Sequence, residues 1–130
     1  METQNQSWPE RHVALIIGSV RPNNFTMKAA RIVADELIRQ NIVVDLIDPA
    51  QMTLPLPGVD ATTDDPRRLQ AIIKEATGVV IATPEYHGSF SSVTKLVIEN
   101  LGFPSVLAGK PVALMGVAAG AIGAIKSLEA

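Results

Sequence analysis

The sequence predicts one α/β domain built on a parallel β-sheet, and three observations indicate this class. Short runs that are apolar throughout alternate with longer segments of helical periodicity, which is typical of strands covered by helices on both faces. A length of 130 residues is close to the commonest size of a single domain. With 47% hydrophobic and 18% charged residues, the chain also has enough apolar surface to form a folded core.

The first half of the chain predicts two strands and one helix after a flexible leader at residues 1–12. Residues 13–18 (VALIIG) form an apolar run that indicates a strand buried on both faces. In residues 24–40, apolar side chains recur at helical spacing with charged residues between them, which predicts an amphipathic helix. Residues 42–48 predict the second strand, and the proline-rich stretch 49–65 predicts a loop.

The next segment predicts a helix followed by the third strand. Asp65 precedes Pro66, and this pair favours a helix N-cap with proline at the first helical position. Gly78 is expected to end that helix, and residues 79–83 (VVIAT) are expected to form the strand. Pro84 is expected to end the strand.

The last part of the chain predicts a helix, a fourth strand and the start of another helix. Ser92 is expected to cap a helix that runs through Leu101, and residues 112–116 (VALMG) predict the strand. Residues 121–130 are typical of the opening turns of a helix. The domain is thus expected to cover 13–130, with crossovers that are right-handed.

The fourth predicted strand is expected to lie at an edge of the sheet, because a chain of this pattern normally supplies one more strand. An apolar strand at an edge favours association. We therefore expect either that another subunit covers this edge or that the chain is poorly stable.

The composition excludes several classes of site. The chain has no cysteine, which excludes disulfides, thiolate metal sites and cysteine nucleophiles, so redox chemistry would need a bound cofactor. Its two histidines, His12 and His87, lack a partner pattern typical of a metal site. A net charge of −2 provides no positive field for nucleic acid, although small anions can still bind through local charge.

Neither a secretory signal nor a membrane helix is expected. The opening residues are polar, METQNQSWPERH, and no stretch reaches the roughly 18 uninterrupted apolar residues that a membrane helix needs. A cytoplasmic location is therefore expected.

The loop after the first strand, GSVRPNNFT, has the components of a phosphate-binding site. It opens onto a helix, whose first amides and dipole favour an anion. Arg21 can bind two phosphate oxygens at once, and Ser19, Asn24 and Thr26 can donate hydrogen bonds. The alternative is an ordinary turn capped by Asn24. Since the P-loop and dinucleotide fingerprints are both missing, a phosphate site here favours a mononucleotide or a flavin phosphate.

The loop after the third strand, TPEYHGSFS, could contact a flat ring system. Pro84 fixes the start of the loop, and Gly88 would let the backbone approach a ligand closely. Tyr86 or His87 would then lie beside the ring. Alternatively, Tyr86 packs or anchors an interface, His87 faces solvent, and Glu85 braces the loop or a subunit contact.

The loop after the fourth strand, GVAAGAIG, is small and rich in glycine. Val117 and Gly120 could approach the edge of a bound ring. Alternatively, its small residues allow a helix to pack tightly on the strand. The carboxyl ends of parallel strands meet at one edge of the sheet, so all three loops could form one site.

Three motifs resemble those of the NADPH-dependent FMN reductase family, a flavodoxin-like group that includes chromate and quinone reductases. They read GSVRPNNFT, TPEYHGSFSSVTK and GKPVALMGVAAGAIGA. By this resemblance the family's phosphate motif falls on Gly18, Ser19 and Arg21, with Asn24 where serine is more usual and Thr26 where asparagine is common.

The resemblance also assigns the second loop. The family's proline–glutamate–tyrosine motif, which lies along the isoalloxazine ring, matches Pro84, Glu85 and Tyr86. His87 occupies a position where many members have asparagine. Residues 94–96 read Thr-Lys-Leu where the family commonly has Leu-Lys-Asn, a departure at the start of the third helix.

The resemblance implies a doubly wound flavodoxin-like sheet with strand order 2-1-3-4, the family's fifth strand and final helix being absent after Ala130. It implies that NADPH or NADH reduces bound FMN, which passes electrons to quinones, chromate or other small oxidants. The flavin would carry the chemistry, without a catalytic acid, base or nucleophile from the protein. A homodimer or homotetramer is implied as well.

Two other functions stay open at this point. One is a flavodoxin-type electron carrier, although such carriers are usually strongly acidic and this chain has a net charge of only −2. The other is a truncated, non-catalytic binding or assembly module.

Overall fold

The computed structural model describes residues 10–130, so most of the predicted leader lies outside the described residues. The described residues form an α/β fold. A 3-10 turn at Pro49–Gln51 opens the proline-rich loop between the second strand and the second helix. The elements, in chain order, are β1 (His12–Ile17), α1 (Phe25–Arg39), β2 (Val43–Ile47), α2 (Asp65–Glu75), β3 (Gly78–Tyr86), β4 (Ser89–Phe90), α3 (Ser92–Glu99), β5 (Val112–Val117) and α4 (Ile125–Glu129).

Four of the strands are parallel and lie side by side in the order β2-β1-β3-β5. In this register Leu15 of β1 lies between Leu46 of β2 and Val80 of β3. The short strand β4 pairs antiparallel with the end of β3. Four strands in the order 2-1-3-4 are expected from the sequence, and the structure has five, because the short β4 was not predicted. The predicted fourth strand corresponds to β5, which pairs with β3, so the order in the numbering of the structure reads 2-1-3-5. The expected absence of the family's fifth strand stays a prediction.

Strand β3 runs through Pro84, so the predicted end of the strand at this proline is wrong. The register accounts for the difference: β1 ends at Ile17, which pairs with Ala82, so β1 does not extend as far as Pro84. Pro84 has β5 beside it, opposite Val117. A proline is tolerated where no neighbouring strand needs its missing N–H.

Beyond Tyr86, the chain turns back into β4 through a two-residue hairpin that was not predicted from the sequence. Its central residues, His87 and Gly88, have φ angles of 52° and 74°. Two successive positive φ angles are typical of a type I′ turn, whose twist suits a hairpin. The glycine is therefore needed for the turn itself.

Two predicted helix boundaries at the amino-terminal ends are corrected by the observed caps. Ser91, not Ser92, caps α3, because its hydroxyl accepts a hydrogen bond from the Thr94 amide at 3.0 Å. Asp65 is the first residue of α2, and Asp64 occupies the N-cap position. The Asp65 carboxylate instead accepts a hydrogen bond from the Thr53 amide at 2.7 Å, which lowers the pKa of Asp65. This contact ties the proline-rich loop to α2.

The remaining boundaries shift by a few residues. Helix α2 ends at Glu75, so Gly78 does not end it but begins β3. Helix α3 ends at Glu99, short of Leu101, and α4 begins only at Ile125. His12, which was expected in the leader, is the first residue of β1 and bonds to Asp45 of β2 at 2.5 Å.

Side chains of β1 alternate between the two hydrophobic layers that cover the sheet. Ala14 and Ile16 pack in the layer with α2 and α3, while Leu15 and Ile17 pack in the layer with α1. Burial on both faces explains why β1 is apolar after His12. Within residues 10–130, no helix combines the length and the apolar content that a membrane crossing requires.

Candidate functional site

The carboxyl ends of β1, β3 and β5 bring the three predicted loops around one cleft of about 380 Å³. This position follows from the topology, because parallel strands place their following loops at the same edge of the sheet. We call it the first cleft. Its walls are formed by Ser19, Arg21, Pro22, Asn23, Asn24, Phe25, Thr26, Pro84, Glu85, Tyr86, Val117, Ala118 and Ala119.

Three residues singled out from the sequence do not line the first cleft. His87 and Gly88 form the hairpin turn beyond Tyr86, which carries them past the cleft wall. Gly120 follows Ala119, where the lining ends. That these three residues contact a ligand stays a prediction.

The loop between β1 and α1 provides the polar end of the first cleft. Arg21 is exposed and forms no ion pair within residues 10–130. Ser19 and Thr26 are each only 3% exposed, and both line the cleft. The Ser19 hydroxyl accepts from the Arg21 amide at 3.3 Å, which leaves its proton available for a ligand. The amide of Phe25, at the start of α1, has no acceptor in the described part of the chain.

Asn24 shapes this loop through both ends of its side chain. Its Oδ1 accepts from the Met27 amide at 2.6 Å, and its Nδ2 donates to the Arg21 carbonyl at 2.8 Å. Asn24 is therefore the N-cap of α1, as the alternative interpretation of this loop expected. One N–H of the side-chain amide is left for a ligand.

A buried network of hydroxyl groups, which was not predicted from the sequence, joins the first two loops. Ser91 donates from its hydroxyl to the Gly18 carbonyl at 2.5 Å, and the Thr94 hydroxyl lies 2.9 Å from that of Ser91. The Thr83 hydroxyl accepts from the Ser91 amide at 3.1 Å and donates to the Pro84 carbonyl at 2.9 Å. Satisfied buried networks of this kind make a site rigid. In the sequence, the only sign of this network was the cluster of serine and threonine residues at the start of α3.

Glu85 connects the second loop to the carboxyl-terminal helix. Its Oε2 accepts from the amides of Lys126 and Ser127 at 3.0 and 3.2 Å. Ala124, at the N-cap position of α4, provides no side-chain cap, so a residue of β3 takes that role. Glu85 thus braces the second loop through contacts within the chain, which is one of the two alternatives expected for it.

We predict that Glu85→Ala lowers the free energy of unfolding by about 1 to 2 kcal/mol, because two amides lose a charged acceptor. Hydrogen exchange should show its largest increase in rate at the amides of Lys126 and Ser127, which lose their acceptor. Glu129→Ala is the matched control, since Glu129 is exposed and its ion pair in the described residues is with Lys126 of α4. Equal effects of the two substitutions would contradict the bracing role.

Two aromatic side chains border the first cleft. Tyr86 is 40% exposed and Phe25 is 71% exposed. The Lys28 ammonium lies over the Phe25 ring, 4.7 Å from its centre. Phe25 was not singled out from the sequence. Together these rings offer flat apolar surface beside the polar end.

Residues 11–130 match the family model described as NADPH-dependent FMN reductase. The chain belongs to this family. It is 34% identical over 117 residues to a 2-hydroxy-1,4-benzoquinone reductase from a Burkholderia species, covering 85% of this chain and 62% of the relative. It is 33% identical over 120 residues to an NADPH azoreductase from a Bacillus species, covering 90% of this chain and 64% of that relative. The chain therefore spans about three fifths of the length of these two family members.

Solved structures show the same fold. FerB from Paracoccus denitrificans, a flavoenzyme NAD(P)H:(acceptor) oxidoreductase, superposes with a TM-score of 0.78 at 23% identity. The match covers 90% of this chain and 66% of FerB. An NADH:FMN oxidoreductase in its apo form gives a TM-score of 0.65 at 24% identity, covering 78% of this chain and 55% of that one. The fold of the described residues is thus the flavodoxin-like α/β fold of the family.

Proposed function

We propose that this chain forms the FMN-binding part of an NAD(P)H-dependent reductase that passes electrons to small acceptors. The observation that carries the proposal is the convergence of the polar loop after β1 with the loops after β3 and β5 on the first cleft. A cleft of about 380 Å³ lies within the range of small-molecule sites. Membership of the NADPH-dependent FMN reductase family supports FMN as the ligand.

The residues of the polar end fit the phosphate of a mononucleotide. Arg21 offers a free guanidinium, and the hydroxyls of Ser19 and Thr26 and the first amides of α1 offer neutral donors. Asn24 would hold this loop in shape and add one N–H. We assign the phosphate of FMN to this end of the cleft.

The remaining walls fit the ring system. Pro84, Glu85 and Tyr86 form one wall, and Val117 with Ala118 and Ala119 forms the other. Small side chains at 117–119 would let the backbone approach the edge of the ring. FMN, when bound, supplies two-electron transfer from a nicotinamide to an acceptor. The protein would bind and orient the reactants, and we assign no catalytic acid, base or nucleophile.

Quinones and azo compounds are the acceptor classes we propose, because two similar family members are a quinone reductase and an azoreductase. Chromate is a further candidate acceptor. The donor is NADPH or NADH. We also propose assembly as a homodimer or homotetramer, since Val112 and Leu114 of β5 are 42% and 53% exposed.

The test separates binding from turnover. The purified chain is titrated with FMN and followed by quenching of flavin fluorescence, and oxidation of NADPH is then measured with and without a benzoquinone. Saturable FMN binding together with quinone-dependent oxidation is expected. Binding without turnover would replace the reductase by an electron carrier, and no binding of FMN would overturn the proposal and leave a non-catalytic module.

A further inference from the structure

A second cleft of about 450 Å³ lies beside the first one, between α1 and the segment that follows β2. We call it the α1–β2 cleft. The two clefts share the loop residues 21–24 as a common wall, so a ligand that occupies both clefts must pass over this loop. The lining of the α1–β2 cleft comprises Val20, Arg21, Pro22, Asn23, Asn24, Met27, Lys28, Arg31, Asp48, Ala50 and Gln51.

Positive charge dominates the α1–β2 cleft. Lys28 and Arg31 are three residues apart on α1 and therefore lie on one face of the helix. Both side chains are exposed, and neither forms an ion pair within residues 10–130. Arg21 lies on the common wall. Because the whole chain has a net charge of −2, this cationic character is local.

One carboxylate faces these cations across the cleft. Asp48 lines the cleft, and its Oδ1 accepts a hydrogen bond from the Ala50 amide at 3.0 Å. Asp48 alone would favour an uncharged ribose hydroxyl and disfavour a phosphate. Lys28 and Arg31 outnumber this carboxylate by one charge, so the cleft as a whole favours an anion.

We propose that the α1–β2 cleft binds the adenosine end of NADPH and that Lys28 and Arg31 recognise its ribose 2′-phosphate. This inference rests on the proposed function, because it takes the nicotinamide end to lie in the first cleft. A phosphomonoester carries close to two negative charges at neutral pH and accepts hydrogen bonds on three oxygens. It is the group that distinguishes NADPH from NADH, so these two residues would determine the choice of donor.

The test uses two fragments that lack the nicotinamide, so it does not depend on turnover. Isothermal titration of the full chain with 2′,5′-ADP and with 5′-AMP measures what the 2′-phosphate contributes. We expect 2′,5′-ADP to bind at least about tenfold more tightly than 5′-AMP at low ionic strength, and to lose this preference as salt is added. Repeating the titration in saturating FMN reports whether the fragments occupy the first cleft instead.

Two variants and a control test whether Lys28, Arg31 and Asp48 determine the preference for 2′,5′-ADP. Lys28→Gln combined with Arg31→Gln should reduce it to within about twofold, whereas Asp48→Asn should increase it a few-fold. The matched control is Arg67→Gln combined with Lys74→Gln, which removes the same two charges from exposed positions of α2. It should leave the preference unchanged.

Four results would overturn the inference. These are equal binding of the two fragments, displacement of 2′,5′-ADP by FMN, an unchanged preference in the Lys28/Arg31 variant, or an equal loss in the control. FMN binding is measured separately in the same preparations. A chain that binds FMN but shows no preference for 2′,5′-ADP refutes this inference alone, while a failure to bind FMN refutes the proposed function.

Discussion

Gly18→Ala is expected to lower the free energy of unfolding by about 3 kcal/mol, because the added methyl group has no space. A Cβ at Gly18 would overlap the Thr94 hydroxyl oxygen, and it would lie 2.8 Å from the Ala82 carbonyl oxygen and 3.1 Å from the Thr83 Cα. Two of these neighbours are backbone atoms of β3 and cannot rotate away. Urea denaturation followed by circular dichroism measures the loss.

Gly78→Ala is the matched control for this prediction. Gly78 begins β3, and a Cβ there would meet only the Pro111 carbonyl oxygen at an ordinary 3.8 Å. The free energy of unfolding of Gly78→Ala should be unchanged or slightly higher than that of the native chain, since alanine restricts the unfolded chain more than glycine does. Adding Thr94→Ala to Gly18→Ala should recover little, because the contact with Ala82 remains. Full recovery would show that the backbone of β3 gives way, contrary to the prediction.

The parallel sheet could be predicted because its strands are short apolar runs. Burial on both faces makes β1 apolar after His12, and an apolar run of this length is too short to be a helix of its own. The hairpin at His87 and Gly88 was missed because histidine rarely signals a positive φ, so only the glycine marked the turn. Pro84 was misjudged because its tolerance depends on where β1 ends, which is a property of the neighbouring strand.

Only part of the site could be predicted from sequence, for a similar reason. The meeting of the three loops follows from the order of parallel strands, and Ser19, Arg21, Thr26 and Tyr86 do line one cleft. The contacts that brace the site join residues far apart in the sequence, so no local sequence pattern could predict them. Glu85 bonds to amides 41 and 42 residues away, and Ser91 bonds to a carbonyl 73 residues away.

The second large effect is expected for Arg21→Ala, which should weaken FMN binding about thirtyfold, or by about 2 kcal/mol. Arg21 is exposed, and its backbone contacts with Ser19 and Asn24 do not involve its side chain, so the fold should be unaffected. Fluorescence titration with FMN measures the loss. Arg67→Ala, an exposed arginine of α2, is the control and should bind FMN normally.

Riboflavin separates a phosphate contact from a general disturbance of the cleft. It has the same ring as FMN but no phosphate, so its weaker binding should be nearly the same in the native chain and in Arg21→Ala. Arg21→Lys should recover only part of the FMN affinity, because an ammonium keeps the charge but cannot make the paired contact of a guanidinium. If Arg21→Ala weakens riboflavin and FMN equally, then Arg21 shapes the cleft or contacts the ring, and the phosphate must bind elsewhere.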